Sequence, residues 1–307
     1  MRISTRHIAL FAAIAKQGNV SKAAETLNLT QAAASMALAE FEQQLGISLF
    51  DRQGKKLLLN HAGDMLLPKA MQIIQDLQEF QDLAKSSTLM AGELNIGAST
   101  TIANYLLPKI ISQFVRQYPE VKINLQVGNS KQIVNAMKHY QIDIGFIEGI
   151  CQVQELKITP WQQDELIYVV NPSHPLAHQA EISLTELSKA QWILRELGSG
   201  TRQIFERAIY QKLKSLNILL ELGSAEAIKQ ALMNSEAIGC LSALTLQTEL
   251  ANQTLVKLHV PSLFMQRELN LLMHSAKSES SLVQAFKNFA SHQGFEKPRI
   301  KVRAVVN

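Results

Sequence analysis

Ala23-Ala24-Glu25-Thr26-Leu27-Asn28-Leu29-Thr30-Gln31 joins two helical patterns through a turn. Ala23, Ala24 and Leu27 fall at helical spacing, Asn28-Leu29 turns the chain, and Thr30 offers the hydroxyl of an N-cap for the next helix. In that next segment Ala34, Leu38, Phe41 and Leu45 form one stripe, closed by Gly46. Upstream, Ile8, Phe11, Ala12 and Ala15 mark an earlier helix that Gly18-Asn19 ends. Downstream, Leu49-Phe50 and the alternating Lys56–Asn60 segment, around Gln53-Gly54, predict a small β-wing. Short helices at this spacing predict a helix-turn-helix.

With Ala34, Leu38, Phe41 and Leu45 inside, about 100° of turn per residue sends Ala32, Ser35, Met36, Ala39 and Gln43 to the opposite face. Those near the helix N-terminus would meet base edges in a major groove. Gln31, at the margin, suits an adenine; Ser35 donates or accepts; Ala32 and Met36 suit thymine methyls. The plain alternative is a three-helix bundle with a small-residue outer face. Residues 1–60 carry seven Lys/Arg (Arg2, Arg6, Lys16, Lys22, Arg52, Lys55, Lys56) against four acids (Glu25, Glu40, Glu42, Asp51), a net +3 compatible with a phosphate-facing surface. Ser21, Thr30, Arg52 and Lys55 complete the expected DNA-facing set.

The remaining chain is long. At 307 residues, 47% hydrophobic and 18% charged, it suits two or three globular domains rather than a disordered polymer. Arg2 follows Met1 with no long apolar run after it, so neither a secretory signal nor a membrane span is expected. Two cysteines, Cys151 and Cys240, are too few for a disulfide scaffold and lack metal-ligand spacing, which suits a reduced cytoplasm.

Between Ala62 and Lys85, Leu66, Ala70, Ile73, Leu77, Phe80 and Ala84 recur at spacings of four and three, the seam of a coiled coil. A dimer seam is expected, against an amphipathic helix packed on its own domain. Ser86-Ser87-Thr88 reads as a linker. Strands and helices then alternate: strand Glu93–Ala98, helix Ile102–Gln117 broken at Pro108, strand Val121–Val127, helix Lys131–Tyr140 and strand Asp143–Glu148. A second set follows: strands Glu165–Val170 and Trp192–Leu194, helix Thr201–Leu213, strand Ile218–Leu222, helix Glu226–Met233 and strand Ala237–Leu241. Strand Glu268–His274 and helix Leu282–His292 return the chain. The expected architecture is multidomain. A winged helix-turn-helix at 1–61 precedes a linker helix at 62–90 and a two-lobed α/β, periplasmic-binding-protein-like domain at 91–296, with a tail at 297–307. Lobe I takes about 91–160 and 267–296, lobe II about 161–266.

The stretch Ala23–Gln31, with Ser35, Leu38, Glu42, Leu45-Gly46, Leu49-Phe50, Arg52 and Asn60-His61-Ala62-Gly63, resembles the N-terminal signature of LysR-type transcriptional regulators. The resemblance implies double-stranded operator DNA, dimers through the linker helix, tetramers through the effector domains and contact with RNA polymerase. Ala32 stands where that family often has Pro, and Met36-Ala37 where polar or basic residues are usual, so base preference does not carry over.

Three segments follow strand carboxyl ends and should meet at the cleft: Ser99-Thr100-Thr101, Gly128-Asn129-Ser130, and Arg195 with Gly198-Ser199-Gly200-Thr201-Arg202. Hydroxyls and amides at helix starts favour an anion, glycines allow close approach, and Arg195 and Arg202 would bring charge. Read singly, Ser99, Ser130 and Thr201 are helix caps and Arg202 pairs with Glu206. Gly223-Ser224, before another helix, joins the candidate set, and Glu148 is expected to pair with a base or mark the rim. Phe146-Ile147-Glu148-Gly149, Trp192-Ile193-Leu194-Arg195-Glu196, Gly198–Arg202 and Glu226-Ala227-Ile228-Lys229 resemble the sulfur- and sulfite-linked branch of LysR regulators, the CysL-like and YeiE-like group. That implies a small oxyanion effector, sulfite foremost.

Catalysis lacks a motif: Cys151 and His139 qualify by type alone, and the eight His show no HExxH spacing. No enzyme activity, metal or cofactor is expected. A solute-binding protein would share the two lobes but carry an export signal in place of the DNA-binding module. A regulator that senses oxidants through Cys151, with no dissociable effector, is the alternative.

Overall fold

The computed structural model describes residues 3–53, 56–85, 90–210, 212–213, 216–277 and 279–292. Helix α1 (Thr5–Gln17) starts at Ser4, whose side chain accepts from the His7 amide, and stops at Gly18 with φ +63°. Asn19 caps α2 (Val20–Thr26) by accepting from the Ser21 and Lys22 amides. Asn28 takes φ +54° in the turn, a left-handed conformation that Asn tolerates. Thr30 then caps α3 (Gln31–Leu45), accepting from the Ala33 amide at 3.1 Å, and Gly46 ends it at φ +72°. Strands β1 (Phe50–Gln53) and β2 (Lys56–Leu59) pair antiparallel as the wing. Leu10, Phe11, Ile14, Ala34, Leu38 and Phe41 bury the core of this module.

Helix α4 (His61–Lys85) divides the predicted seam. Leu67 and Ala70 are buried in the core of the helix-turn-helix module, whereas Ile73, Leu77 and Phe80 are exposed. Its start packs on its own module, and its later turns leave an apolar stripe uncovered in the single chain. Ala84, the Ser86–Thr88 linker, Lys55 and the tail around Lys297–Arg303 lie outside the described residues or side chains.

The rest is α/β. Lobe I holds β3 (Gly92–Ser99), α5 (Thr100–Tyr105), α6 (Leu107–Gln117), β4 (Val121–Gly128), α7 (Ser130–Lys138) and β5 (Ile144–Glu148). Strand β6 (Leu156–Val170) leads to lobe II, with α8 (Leu184–Lys189), β7 (Gln191–Arg195), α9 (Gly200–Ile209), β8 (Asn217–Leu222), α10 (Ala225–Met233), β9 (Ala237–Ser242), α11 (Gln247–Ala251) and β10 (Val256–Leu258). Strand β11 (Met265–His274) returns to lobe I, where α12 (Ser281–His292) packs. The strand order is β4-β3-β5-β11-β6-β9-β7-β8. Each end is parallel, and the antiparallel β6–β11 pair runs through both lobes as the crossover. Apolar clusters cover both faces at each end.

The helix expected over 102–117 with an interruption at Pro108 is two helices, parted at Leu106, and Pro108 sits in the first turn of α6, where its missing N–H costs nothing. One expectation needs correction. Strand β6 starts nine residues before the expected Glu165. Pro160 and the polar Gln162-Gln163 hide it in the sequence, and a register shift between Leu269 and Asn270 accommodates the proline.

Candidate functional site

The carboxyl ends of β3, β4, β5 and β7 point into the gap between the lobes and deliver Ser99, Gly128, Glu148 and Arg195. The starts of α5, α7 and α9 add Thr100, Ser130, Ser199 and Gly200. The lobes are in contact here. The Lys131 amide donates to the Gly198 carbonyl at 3.1 Å, and Arg195 Nη2 donates to Thr100 Oγ1 at 3.4 Å. Gly200 lies so near β5 that a Cβ would stand 1.9 Å from the Glu148 carbonyl oxygen, which only glycine permits. Thr100 also donates to the Gly128 carbonyl, and Ser130 to that of Glu148 at 2.7 Å.

Three polar atoms in this gap lack a partner among the described residues. Ser99 Oγ, Ser199 Oγ and Glu148 Oε2 are each buried without a hydrogen bond, on side chains 0%, 1% and 1% exposed. Such groups cost about 1–3 kcal/mol each unless they find a partner. Burial pushes the Glu148 carboxyl above the ordinary range, and Arg267 and Arg195, which pull it down, do not outweigh that. Glu148 is therefore not a rim residue.

Arg267 is a buried charge beside this region that sequence reading did not single out. On β11 Met265, Arg267 and Leu269 face inward while Gln266 and Glu268 face out, so strand alternation in the sequence would have flagged a buried arginine. Its Nε donates to Asp164 Oδ2 at 2.7 Å and its Nη1 to Thr201 Oγ1 at 2.9 Å, while Ser242 donates to Asp164 Oδ1. Arg267 and Asp164 stand opposite each other on the paired crossover strands β11 and β6.

Several expected ligands are already occupied. Arg202 donates to Glu206 Oε1 at 2.6 Å and to the Arg195 carbonyl at 3.0 Å, and reaches Glu221 at 3.4 Å, so its charge stays within lobe II. Asn129 and Gln132 form a capping box on α7, which spends the Asn129 side chain. Ser224 is spent as the cap of α10, and Gly223 has open space around it. Thr101 is buried at 2%. Arg195 itself is paired bidentately with Glu196 at 2.8 and 3.0 Å. Cys151 and Cys240 are free thiols, and burial pushes both upward, against the thiolate that peroxide sensing needs.

On the helix-turn-helix module Gln31, Ser35, Ser21 and Arg52 line one groove between α3, the start of α2 and the wing. Ala32 is exposed beside them, and Met36 is 74% exposed. Lys56, counted in the sequence only as charge, joins the same groove. Thr30 is spent as the α3 cap. No helix among the described residues is long and apolar enough to cross a membrane, and among them no three His, Cys, Asp or Glu gather around a metal position.

The description "Bacterial regulatory helix-turn-helix protein, lysR family" matches residues 5–64, and "LysR substrate binding domain" matches residues 87–294. The chain is 38% identical to the uncharacterized HTH-type transcriptional regulator YeiE of Escherichia coli K12, across 94% of this chain and 97% of that one. A full-length OxyR variant of Pseudomonas aeruginosa superposes with a TM-score of 0.73 at 17% identity, covering 94% and 95% of the two chains. The regulatory domain of Synechocystis CcmR in complex with 2-PG superposes at 0.61 with 29% identity, covering 66% of this chain and 96% of that one. With a helix-turn-helix in front and a two-lobed ligand-binding domain behind, this chain belongs to the LysR family of DNA-binding transcriptional regulators.

Proposed function

We propose that a small oxyanion, sulfite foremost, binds between the lobes and thereby sets how the DNA-binding modules engage an operator. The observation that carries this is the trio of buried, unpartnered atoms, Ser99 Oγ, Ser199 Oγ and Glu148 Oε2, at the starts of α5 and α9 and the end of β5. Two hydroxyl donors suit an acceptor-rich ion, and the tight approach of the lobes at Gly200 leaves little room for a bulky one. Arg195 and Arg267 are already paired with Glu196 and Asp164, so neither brings spare positive charge to the site. Burial raises the Glu148 carboxyl above its ordinary range, which lessens its repulsion of an anion. The CcmR domain complex with 2-PG supports a small ligand in this kind of domain.

In the same reading Gln31, Ala32, Ser35 and Met36 meet bases, and Ser21, Arg52 and Lys56 meet phosphates. The exposed stripe of α4 pairs two chains in the cytoplasm, effector domains extend the dimer to a tetramer, and the DNA-bound assembly contacts RNA polymerase. A thermal-shift comparison of sulfite with other small anions and with aromatic acids, followed by calorimetry, tests the effector. Saturable binding of sulfite, one per chain, is expected. Preferential binding of a bulky aromatic ligand would overturn it.

A further inference from the structure

Glu226-Ala227-Ile228-Lys229 lies on α10 of lobe II and contributes nothing to the hydroxyl cluster of the cleft. Lys229 is nevertheless only 4% exposed. Its Nζ lies 2.8 Å from both Glu226 Oε1 and Glu249 Oε1 and donates to the Thr245 carbonyl at 3.0 Å. Burial alone would lower its pKa, but the hydrogen bonds to Glu226 and Glu249 outweigh burial and hold the ammonium charged.

The next neighbour comes from the other lobe. Tyr105, the last residue of α5, donates its hydroxyl to Glu226 Oε1 and lies 3.4 Å from Lys229 Nζ. Burial, reinforced by the Glu226 hydrogen bond, pushes this phenol up to about 12, so it remains a donor near neutral pH. Beside it Leu244, just after β9, packs against the lobe I core. Helix α5 begins with Thr100, which accepts from Arg195 of lobe II. One short helix thus carries a cleft hydroxyl at its first residue and this ion cluster at its last.

We infer that Tyr105 and the Glu226–Lys229–Glu249 cluster form a latch between the lobes, which favours the closed cleft before any effector arrives. The latch sets the effector's apparent affinity, because a ligand that binds the closed form is weakened by the fraction of molecules that are open. Only the ligand arm of its test rests on the oxyanion reading above.

Hydrogen exchange of the full chain reads closure directly. The Lys131 amide donates across the cleft to Gly198, whereas the Ile133 amide donates to Asn129 within lobe I and serves as the control. Tyr105→Phe removes one hydroxyl and keeps the ring; Glu226→Gln keeps the shape and removes the charge. Without added anion, exchange at Lys131 should rise roughly five- to tenfold in both variants, with Ile133 unchanged. The sulfite midpoint should weaken in proportion to the fall in the closed fraction. Unchanged exchange at Lys131, or equal acceleration of both amides, overturns the latch. Faster Lys131 exchange with an unshifted sulfite midpoint overturns its role in affinity. Faster exchange in a protein that binds no sulfite supports the latch and overturns the effector reading instead.

Discussion

Replacing Ser99 or Ser199 by alanine should strengthen the empty protein and weaken the loaded one. Each hydroxyl is buried, at 0% and 1% exposure, and neither has a partner among the described residues. An unsatisfied buried hydroxyl carries a desolvation penalty of about 1–3 kcal/mol, partly offset by the contacts its oxygen still makes. Each substitution should therefore be neutral or stabilising by up to about 1 kcal/mol, which raises Tm by roughly 2–4 °C in a domain of this size. With an anion bound the sign reverses. A hydrogen bond to a charged partner is worth about 1.5–3 kcal/mol, so affinity should fall roughly 10- to 150-fold for each variant. Urea unfolding without ligand and calorimetric titration of sulfite measure the two arms on the same preparations. The opposed signs distinguish a binding hydroxyl from a structural one, since a helix cap such as Ser224 or Thr30 would lose stability on the same change. If both variants lose more than about 1 kcal/mol of stability, these hydroxyls are partnered, and the reasoning from unsatisfied atoms fails.

Three further outcomes are expected. Ser35→Glu places a carboxylate on the exposed face of α3, in the groove shared with Gln31 and Arg52, and should cut operator affinity more than about 100-fold in an anisotropy titration while circular dichroism stays unchanged. Paired Ile73→Glu and Leu77→Glu substitutions fall at positions 41% and 36% exposed in the single chain, so sedimentation should show a folded protein that has lost its dimer, and operator affinity with it; an unchanged dimer would place the interface elsewhere. Glu148→Gln should flatten the dependence of stability on pH. The native carboxyl is raised above its unfolded value, so its contribution is intact below the ordinary carboxylate range and is lost as pH rises through the raised value. Urea midpoints from about pH 4 upward should therefore decline less in the variant, and parallel declines would show that Glu148 is not the group responsible.

Local chemistry made the DNA-binding module legible in the chain. Ser4, Asn19 and Thr30 cap their helices, Gly18 and Gly46 end two of them, and the Ala34–Leu38–Phe41 stripe is the buried one. Caps and amphipathic stripes act over a few residues, so they need no knowledge of the rest of the fold. The order of strands and helices in the effector domain was legible on the same grounds, and with it the convergence of Ser99, Ser130, Arg195 and Ser199 at strand ends. The tertiary structure alone decided which polar groups remain available. Arg195 and Arg202 sit at equivalent-looking positions in the sequence, yet Arg202 is held by Glu206 and Glu221 within lobe II, while Arg195 reaches across to Thr100. Arg267 enters the cleft from a crossover strand far along the chain from Thr201, to which it donates. Glu148 shows an apolar neighbourhood in the sequence, but whether its carboxyl meets solvent or is buried depends on Gly200 of lobe II packing against β5 of lobe I. Hydrogen bonds and desolvation are settled by atoms within a few ångströms in space, and where lobe II meets lobe I those atoms come from segments that no local pattern brings together.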